Sequence, residues 1–199
     1  RYTYLIDPLG DEQRRWDEMR TLARQNIRRA EKTGLTITHD LPAEQFWPLN
    51  EQVFTRQGKS PPFSVDFLRR LDAAATAHAE RKIFAASDET GRLHAALYLV
   101  IHGQTAYYLM AGSDPELRSS GASYRLFWEA MQYAATKVRR FDFEGSMIQP
   151  IEAAFRAMGG RQTPYFQITR SQLGPRDYLG AGLRRLRRAM PDGLRRRGG

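Results

Sequence analysis

The chain of 199 residues contains no cysteine, which excludes disulfide bonds, thiolate zinc sites and a cysteine nucleophile. Its four histidines do not have the spacing of metal ligands, so no metal site is predicted. No apolar run is long enough to cross a bilayer, and no signal peptide is visible. We therefore expect no membrane span and a cytoplasmic protein. The chain begins at Arg1 rather than at Met, so either the start was removed or this is a piece of a longer protein.

The formal net charge of +9 is unevenly distributed. Residues 176–199 hold eight arginines and only two aspartates. One interpretation is a solvated basic tail, which is the common outcome for charge runs. The other is a contact for RNA phosphates or an anionic membrane surface. The tail residues singled out as possible RNA contacts are Arg184, Arg185, Arg187 and Arg188.

Hydrophobic periodicity predicts alternating strands and helices. The predicted strands are 2–6, 35–39, 82–86, 93–101, 104–111, 140–143 and 165–169. The predicted helices are 11–32, one starting near Pro42, one starting near Ser64, 120–138, 150–158 and 178–189. The first helix carries a basic face, on which Arg24, Arg28 and Arg29 are further candidate RNA contacts.

The turns between strands predict the topology. Compact turns at 89–91 and 102–103 make three consecutive strands antiparallel. The strand–helix–strand passage that follows is a crossover and adds a parallel pair. We therefore predict an α/β (α+β) fold with a mixed, mostly antiparallel sheet flanked by helices.

A loop directly before the helix at 120–138 predicts an anion site. The first amides of a helix are free to bind a phosphate or another anion. The alternative is an ordinary helix entry capped by serine. The candidate residues are Arg118, Ser119, Ser120, Gly121, Ala122 and Ser123.

Four short pieces of sequence resemble one family in their order along the chain. They are RRAEKTGL at 28–35, AGSDP at 111–115, GA at 121–122 with LFWEA at 126–130, and FDFEGS at 141–146. Together with the element order, they resemble the GNAT superfamily of acyltransferases, in the branch of FemAB-like proteins or BioF2-like acetyltransferase domains. The resemblance covers roughly residues 1–170. It implies that 1–34 are the end of a first lobe and a basic connector helix, 35–170 the GNAT-like domain, and 171–199 a basic helix and tail. Most of the first lobe is then absent.

The resemblance implies transfer of an acyl group to a primary amine. FemAB enzymes take an aminoacyl group from aminoacyl-tRNA to a peptidoglycan-precursor peptide, whereas ordinary GNAT enzymes use acetyl-CoA. Arg118-x-x-Gly121-x-Ser123 matches the Arg/Gln-x-x-Gly-x-Gly/Ala loop of CoA-binding members except at its last position. That serine, the basic helix and the tail favour aminoacyl-tRNA over acyl-CoA. We expect no tightly bound cofactor, and an amine acceptor that is a peptide, a peptidoglycan precursor or a small molecule.

The resemblance also suggests candidates for catalysis. Asp142 and Glu144 alternate with phenylalanines, and either carboxylate could deprotonate the attacking ammonium. Alternatively, one of them pairs with Arg156 or caps the next helix. Tyr108 could line the acceptor channel and Tyr165 could protonate the leaving group, although each could simply be packing. A hypothesis of another class is a non-catalytic RNA- or anion-binding module on a degenerate GNAT scaffold.

Overall fold

A seven-stranded mixed sheet organises the computed structural model, which describes residues 1–145 and 148–168. The strands are β1 (Tyr2–Ile6), β2 (Thr36–Thr38), β3 (Glu80–Ser87), β4 (Leu93–His102), β5 (Thr105–Ser113), β6 (Arg140–Asp142) and β7 (Arg161–Pro164). The helices are α1 (Glu12–Glu18), α2 (Thr21–Lys32), α3 (Ala43–Thr55), α4 (Val65–His78), α5 (Ala122–Ala135) and α6 (Gln149–Ala157). A 3₁₀ turn, Arg118–Ser120, precedes α5. None of the helices in these ranges is long and apolar enough to cross a membrane.

The strands lie in the order β2-β3-β4-β5-β6-β1-β7. The three strands β3, β4 and β5 are antiparallel neighbours, and β5 pairs with β6 in parallel. Strand β1 lies between β6 and β7 and is antiparallel to both. The predicted fold class, hairpins and crossover are therefore confirmed.

Helices cover both faces of the sheet because successive side chains of a strand point in opposite directions. Phe84 and Ala86 of β3 pack in a core with residues of α2, α5 and α6. Ile83 and Ala85 pack on the other face with residues of α3 and α4. The sheet thus separates α5 from α3.

Helix α3 lies unusually close to β5. A Cβ atom on Gly112 would fall less than 3.0 Å from the backbone of Leu49 and Asn50, so only glycine allows this approach. The Asn50 side-chain Nδ2 donates a hydrogen bond of 2.9 Å to the Ala111 carbonyl oxygen. Helix α3 is consequently held against the end of β5.

A polar cluster fastens α4 to the sheet. Asp72 of α4 accepts two hydrogen bonds from the Arg81 guanidinium, at 2.6 and 2.8 Å, and one of 2.7 Å from the Tyr98 hydroxyl. Burial acts to raise the pKa of Asp72, but the hydrogen bonds from Arg81 and Tyr98 outweigh it and lower that pKa. The pair is partly buried, with side-chain exposures of 16% for Arg81 and 19% for Asp72.

Two predicted elements are corrected. The single helix expected over 11–32 is divided into α1 and α2, because Met19 and Arg20 are extended. Met19 is buried there and the Arg20 amide donates to the Ala157 carbonyl. The strand expected at 165–169 was wrong over 165–168, the part that the structure describes, because pairing with β1 places a strand at Arg161–Pro164 instead. The helix expected at 178–189 lies outside the described residues.

Arg1–Tyr165 form one compact unit, and the division predicted at residue 34 stays a prediction. Strand β1 belongs to the same sheet as β3–β5, and α2 packs on α5. A preceding first lobe stays a prediction. The second unit, Phe166–Gly199, is described only over 166–168, which contain no helix or strand.

Candidate active site

The sheet opens between β5 and β6. Only Thr105–Tyr107 pair with Arg140–Asp142, and β5 then continues to Ser113 without a partner on its β6 side. On the other side of β5 the register with β4 shifts, so that Leu99 faces Tyr108 and Tyr98 faces Met110. This bulge leaves Leu109 without a partner in β4, and a bulge of this kind bends the strand that carries it. The opening exposes the end of a parallel pair, where ligands of α/β proteins commonly bind.

A cavity of about 480 Å³ occupies this opening. One wall is aromatic and contains Tyr108, Phe127 and Phe155. The lining also contains two arginines, Arg56 and Arg118. An apolar wall with a few charged groups is typical of a small-molecule site.

The start of α5 faces the cavity through a tight loop. Gly121 has a φ of +80°, and a Cβ there would lie less than 3.0 Å from the Asn26 carbonyl oxygen of α2. The Ala122 amide donates a hydrogen bond of 3.3 Å to the Ser120 hydroxyl. The Ser123 amide has no acceptor among the residues that the structure describes. The loop therefore offers a free helix amide beside a guanidinium, which suits an anion.

The six candidates of this loop divide into two groups. Arg118, Gly121 and Ser123 line the cavity. Ser119, Ser120 and Ala122 support the loop. The Ser119 carbonyl accepts a hydrogen bond of 3.3 Å from Arg29, the Ser120 hydroxyl accepts one from the Ala122 amide, and Ala122 is buried. Anion binding at this loop stays a prediction, with the first group as its contacts.

Tyr108 lies in the aromatic wall. Its ring centroid is 5.1 Å from that of Phe127 and 5.6 Å from that of Phe155. The phenol hydroxyl has no hydrogen-bond partner within 1–145 and 148–168, and burial raises its pKa. Tyr108 therefore keeps its proton at neutral pH and can donate a hydrogen bond to a ligand in the cavity.

Asp142 and Glu144 differ in their surroundings. Asp142 accepts hydrogen bonds from the Thr3 hydroxyl and, at 2.8 Å, from the Glu144 amide. Glu144 adopts a φ of 63°, a left-handed conformation that is unfavourable for a side chain of this kind. No described residue hydrogen-bonds to its carboxylate.

The pKa of Glu144 is raised, first by loss of hydration and second by the negative charge of Asp142. The residue as a whole is nevertheless exposed. Neither Asp142 nor Glu144 lines the cavity, although the intervening Phe143 packs against Tyr108, with centroids 6.5 Å apart. The alternative pairing of either acid with Arg156 was wrong, because Arg156 binds Glu152 at 2.7 Å.

The fold does not bring Tyr165 close to the other candidate catalytic residues. It follows β7, is 42% exposed, and its amide donates to the Arg1 carbonyl oxygen at 3.0 Å. It does not line the cavity. Of the two tyrosines proposed from the sequence, Tyr108 is the better placed for chemistry.

The basic residues of α2 have contacts within the chain. Arg24 donates to the Trp16 and Asp17 carbonyls at 3.3 Å, and Arg28 lies over the Trp16 ring, 5.5 Å from its centroid. Arg29 donates to Ser119. RNA binding by these residues stays a prediction. Arg184, Arg185, Arg187 and Arg188 lie outside the described residues.

Sequence reasoning missed two contributors to the cavity. Arg56 follows the last residue of α3, and Asn26 belongs to α2; both line the cavity. The glycine and prolines after Arg56 indicated a loop and drew attention away from the helix end. The periodicity of α3 would have placed Val53 and Arg56 on one face, but it could not show which cavity that face meets.

The fold and the site together define an α/β transferase-like scaffold with its cavity at the opened parallel pair. Residues 17–167 match the family model described as Acetyltransferase (GNAT) domain, so the chain belongs to this family. No curated protein sequence matches the chain significantly.

Solved structures with this fold include FemX, with a TM-score of 0.72, 13% sequence identity and coverage of 81% of this chain. The chain spans 59% of the length of that FemX structure. A putative acetyl transferase from Pyrococcus furiosus has a TM-score of 0.57 and 15% identity, covering 69% of this chain and 99% of its own. A Trypanosoma brucei acetyltransferase has a TM-score of 0.50 and 15% identity, covering 70% of this chain and 99% of its own.

The family assignment made from the sequence is confirmed, both for GNAT and for the likeness to FemAB-like proteins. The chain thus carries a GNAT acetyltransferase domain over residues 17–167.

Proposed function

We propose that the protein transfers an acyl group from a phosphate-bearing donor to a primary amine and forms an amide. The observation that carries the proposal is the cavity at the opened β5–β6 pair, where the free Ser123 amide and the Arg118 guanidinium stand beside an aromatic wall. The amide and guanidinium suit a phosphate. The apolar wall suits the acyl group and excludes water from the reactive ester.

The first candidate donor is aminoacyl-tRNA. The likeness to FemX, at a TM-score of 0.72, supports the FemAB-like branch of the family. The Ser123 side chain lines the cavity where CoA-binding loops carry a smaller residue. Acyl-CoA is the second candidate, favoured by the family description and by the two acetyltransferases of similar fold.

The reaction requires two protons to leave the ammonium. Glu144 does not line the cavity, so as the proposed base it takes the first proton through one intervening water. The freed amine then attacks the acyl carbon, and a C–N bond forms. The ester C–O bond, or the thioester C–S bond of acyl-CoA, breaks as the leaving atom takes the proton of Tyr108. The second proton of the nitrogen restores the Tyr108 phenol. Asp142 positions Glu144 by accepting its amide hydrogen bond.

Reversal of charge at Arg118 tests the donor site. Arg118→Glu should weaken donor binding by about 10- to 100-fold, since a hydrogen bond to a charged group contributes about 1.5–3 kcal/mol. Binding of acetyl-CoA and of an aminoacylated tRNA would be titrated separately by calorimetry. Arg70→Glu is the matched control, because Arg70 is an exposed arginine on α4 that does not line the cavity.

If the affinity for one donor falls in Arg118→Glu but not in Arg70→Glu, that donor is the substrate of the reaction. Equal losses in both variants would show a general charge effect and contradict the proposed site. Absence of binding and turnover with both donors would refute the proposed function. Binding of RNA without any transfer would instead support the non-catalytic module.

A further inference from the structure

The cavity is lined by two positive charges and by no negative charge among the described residues. They are Arg118, assigned above to the donor, and Arg56, which has no assigned role. We propose that Arg56 binds a carboxylate of the acceptor, so that the acceptor is an amine that also carries an anionic group. This inference rests on the proposed function, because it names the acceptor class of the same site.

The position of Arg56 is well determined by α3. Val53 and Arg56 lie one turn apart and both line the cavity. Two turns before Arg56, the contact of Gly112 with Leu49 and the hydrogen bond from Asn50 to Ala111 hold the helix on β5. The guanidinium is thus attached to a rigid support rather than to a mobile loop.

The charge of Arg56 is unsatisfied in the described chain. The residue is exposed; its backbone amide donates to the Gln52 carbonyl at 3.4 Å, whereas its guanidinium has no ion pair, hydrogen bond or ring contact there. Other arginines are paired: Arg81 with Asp72 at 2.6 Å and Arg92 with Asp114 at 2.7 Å. An unpaired guanidinium facing a cavity is available for a ligand, and its planar fork fits a carboxylate with two hydrogen bonds.

The side of the cavity on which Arg56 lies indicates which substrate it meets. Helix α3 covers one face of the sheet, whereas α5 with its anion loop covers the other. Donor and acceptor must meet in one cavity from different directions. With the donor phosphate at α5, the acceptor approaches from α3, where Arg56 stands.

Arg56 also lies at the C-terminal end of α3, where any cation interacts favourably with the helix dipole. This structural role needs only a positive charge, so Arg56→Lys retains it and loses the fork. Arg56→Gln loses both the positive charge and the fork. Comparison of the two variants therefore separates the helix dipole from recognition of a carboxylate.

The experiment uses two acceptors that differ only in charge: a dipeptide with a free C-terminal carboxylate and the same dipeptide as its C-terminal amide. Wild type should use the acid with a kcat/KM about 10- to 100-fold above that of the amide. In Arg56→Gln the KM for the acid should rise to that for the amide, with kcat and donor affinity unchanged. Arg56→Lys should lose most of the preference, and Arg70→Gln should keep it.

A second measurement does not need turnover. The N-acetylated dipeptide, as acid and as amide, would be titrated into wild type and into Arg56→Gln. The acid should bind more tightly only to wild type. Equal binding of acid and amide to wild type would overturn the inference. Equal use of both acceptors by an active enzyme would also overturn it, but that result would leave the proposed function intact.

A fall in donor affinity in Arg56→Gln would place Arg56 in the donor site and also overturn the inference. Absence of transfer from both donors would refute the proposed function, and the product titration would still decide the role of Arg56.

Discussion

At the scale of single residues, Glu144 is the most unusual position. Its left-handed backbone is unfavourable for a residue with a Cβ, and its carboxylate has a raised pKa and no partner in the described chain. Backbone strain of this kind persists where the surroundings impose it and is concentrated at functional sites. Gly145 follows with a φ of 70° against the Tyr2 and Thr3 backbone, so β1 imposes the turn.

Substitution of Glu144 should separate stability from activity. Glu144→Gly relieves the left-handed backbone and should be about 0.5–1 kcal/mol more stable than Glu144→Gln, which retains it. Both variants should lose transfer activity, because neither has a base. Urea unfolding and initial transfer rates check the two expectations, and equal stability of both variants would contradict the argument from strain.

The raised pKa of Glu144 gives this prediction a dependence on pH. The carboxyl favours the folded state most at a pH below its unfolded value of about 4.3, and this contribution is lost as the pH rises through the raised pKa. Wild type should therefore become less stable relative to Glu144→Gln between acid and neutral pH. The transfer rate of wild type should increase over the same range, as the base ionises.

The sequence indicated Asp142 and Glu144 as candidate catalytic carboxylates, but it did not predict their positions relative to the cavity. Alternation in a strand put both on one face, and the left-handed turn at Glu144 ends that alternation. Nothing in the local sequence predicts such a turn, because glutamate rarely adopts it. The turn results from the contact with β1, which is distant in sequence.

At the scale of elements, the attachment of α4 depends on Asp72, Arg81 and Tyr98. Tyr98→Phe removes one hydrogen bond and should lower the free energy of unfolding by about 1 kcal/mol. Asp72→Ala leaves the Arg81 guanidinium and the Tyr98 phenol both unpaired, and should lower the free energy of unfolding by roughly 2–4 kcal/mol. Chemical denaturation of the two variants and of the double variant checks this, with Arg70→Gln as a control expected within about 0.5 kcal/mol of wild type.

The double variant should be less destabilised than the sum of the single variants, because the hydrogen bond from Tyr98 cannot be lost twice. Strict additivity would mean that Tyr98 and Asp72 do not interact. The lowered pKa of Asp72 means that its contribution is present above the unfolded value of about 3.9 and is lost as the pH falls through the folded pKa.

Element boundaries failed where distant pairing overrode local preference. The aromatic and β-branched residues at 165–169 favoured a strand, yet the strand forms at Arg161–Pro164, which contains a proline. Pro164 is tolerated because β7 is at the edge of the sheet and one of its sides needs no amide. The break between α1 and α2 likewise depends on the Ala157 carbonyl, far along the chain.

At the scale of the whole molecule, the net charge of +9 raises the question of RNA. If the tail binds phosphates, replacement of Arg184, Arg185, Arg187 and Arg188 by alanine should lower the slope of log affinity against log salt by about 3 to 4. The slope for tRNA would be measured by filter binding or fluorescence anisotropy over a salt series. Arg28→Gln in α2 should lower it by at most about 1.

If the salt dependence of tRNA affinity is unchanged when the four arginines are replaced, the tail is solvated and does not bind RNA. The comparison with Arg28→Gln is informative because Arg28 already lies over the Trp16 ring, which limits its availability for phosphate.

The class of fold was predictable because its signals are local. Two short turns determine the antiparallel strands, and one strand–helix–strand passage determines the crossover. The place of β1 was not predictable in this way, since the choice of neighbours within a sheet depends on the whole chain. The same holds for the cavity, to which Asn26, Arg56 and Arg118 come from three separate elements.

The insertion of β1 between β6 and β7 has a consequence for biosynthesis. Tyr2 pairs with Pro164, so β1 leaves the ribosome well before the strands with which it pairs. At about 5–20 residues per second, this delay is roughly 8 to 32 s. During that time Tyr4 and Ile6, which end up buried, are exposed to solvent and to other chains. The nascent protein is therefore a natural client for chaperones until β6 and β7 emerge.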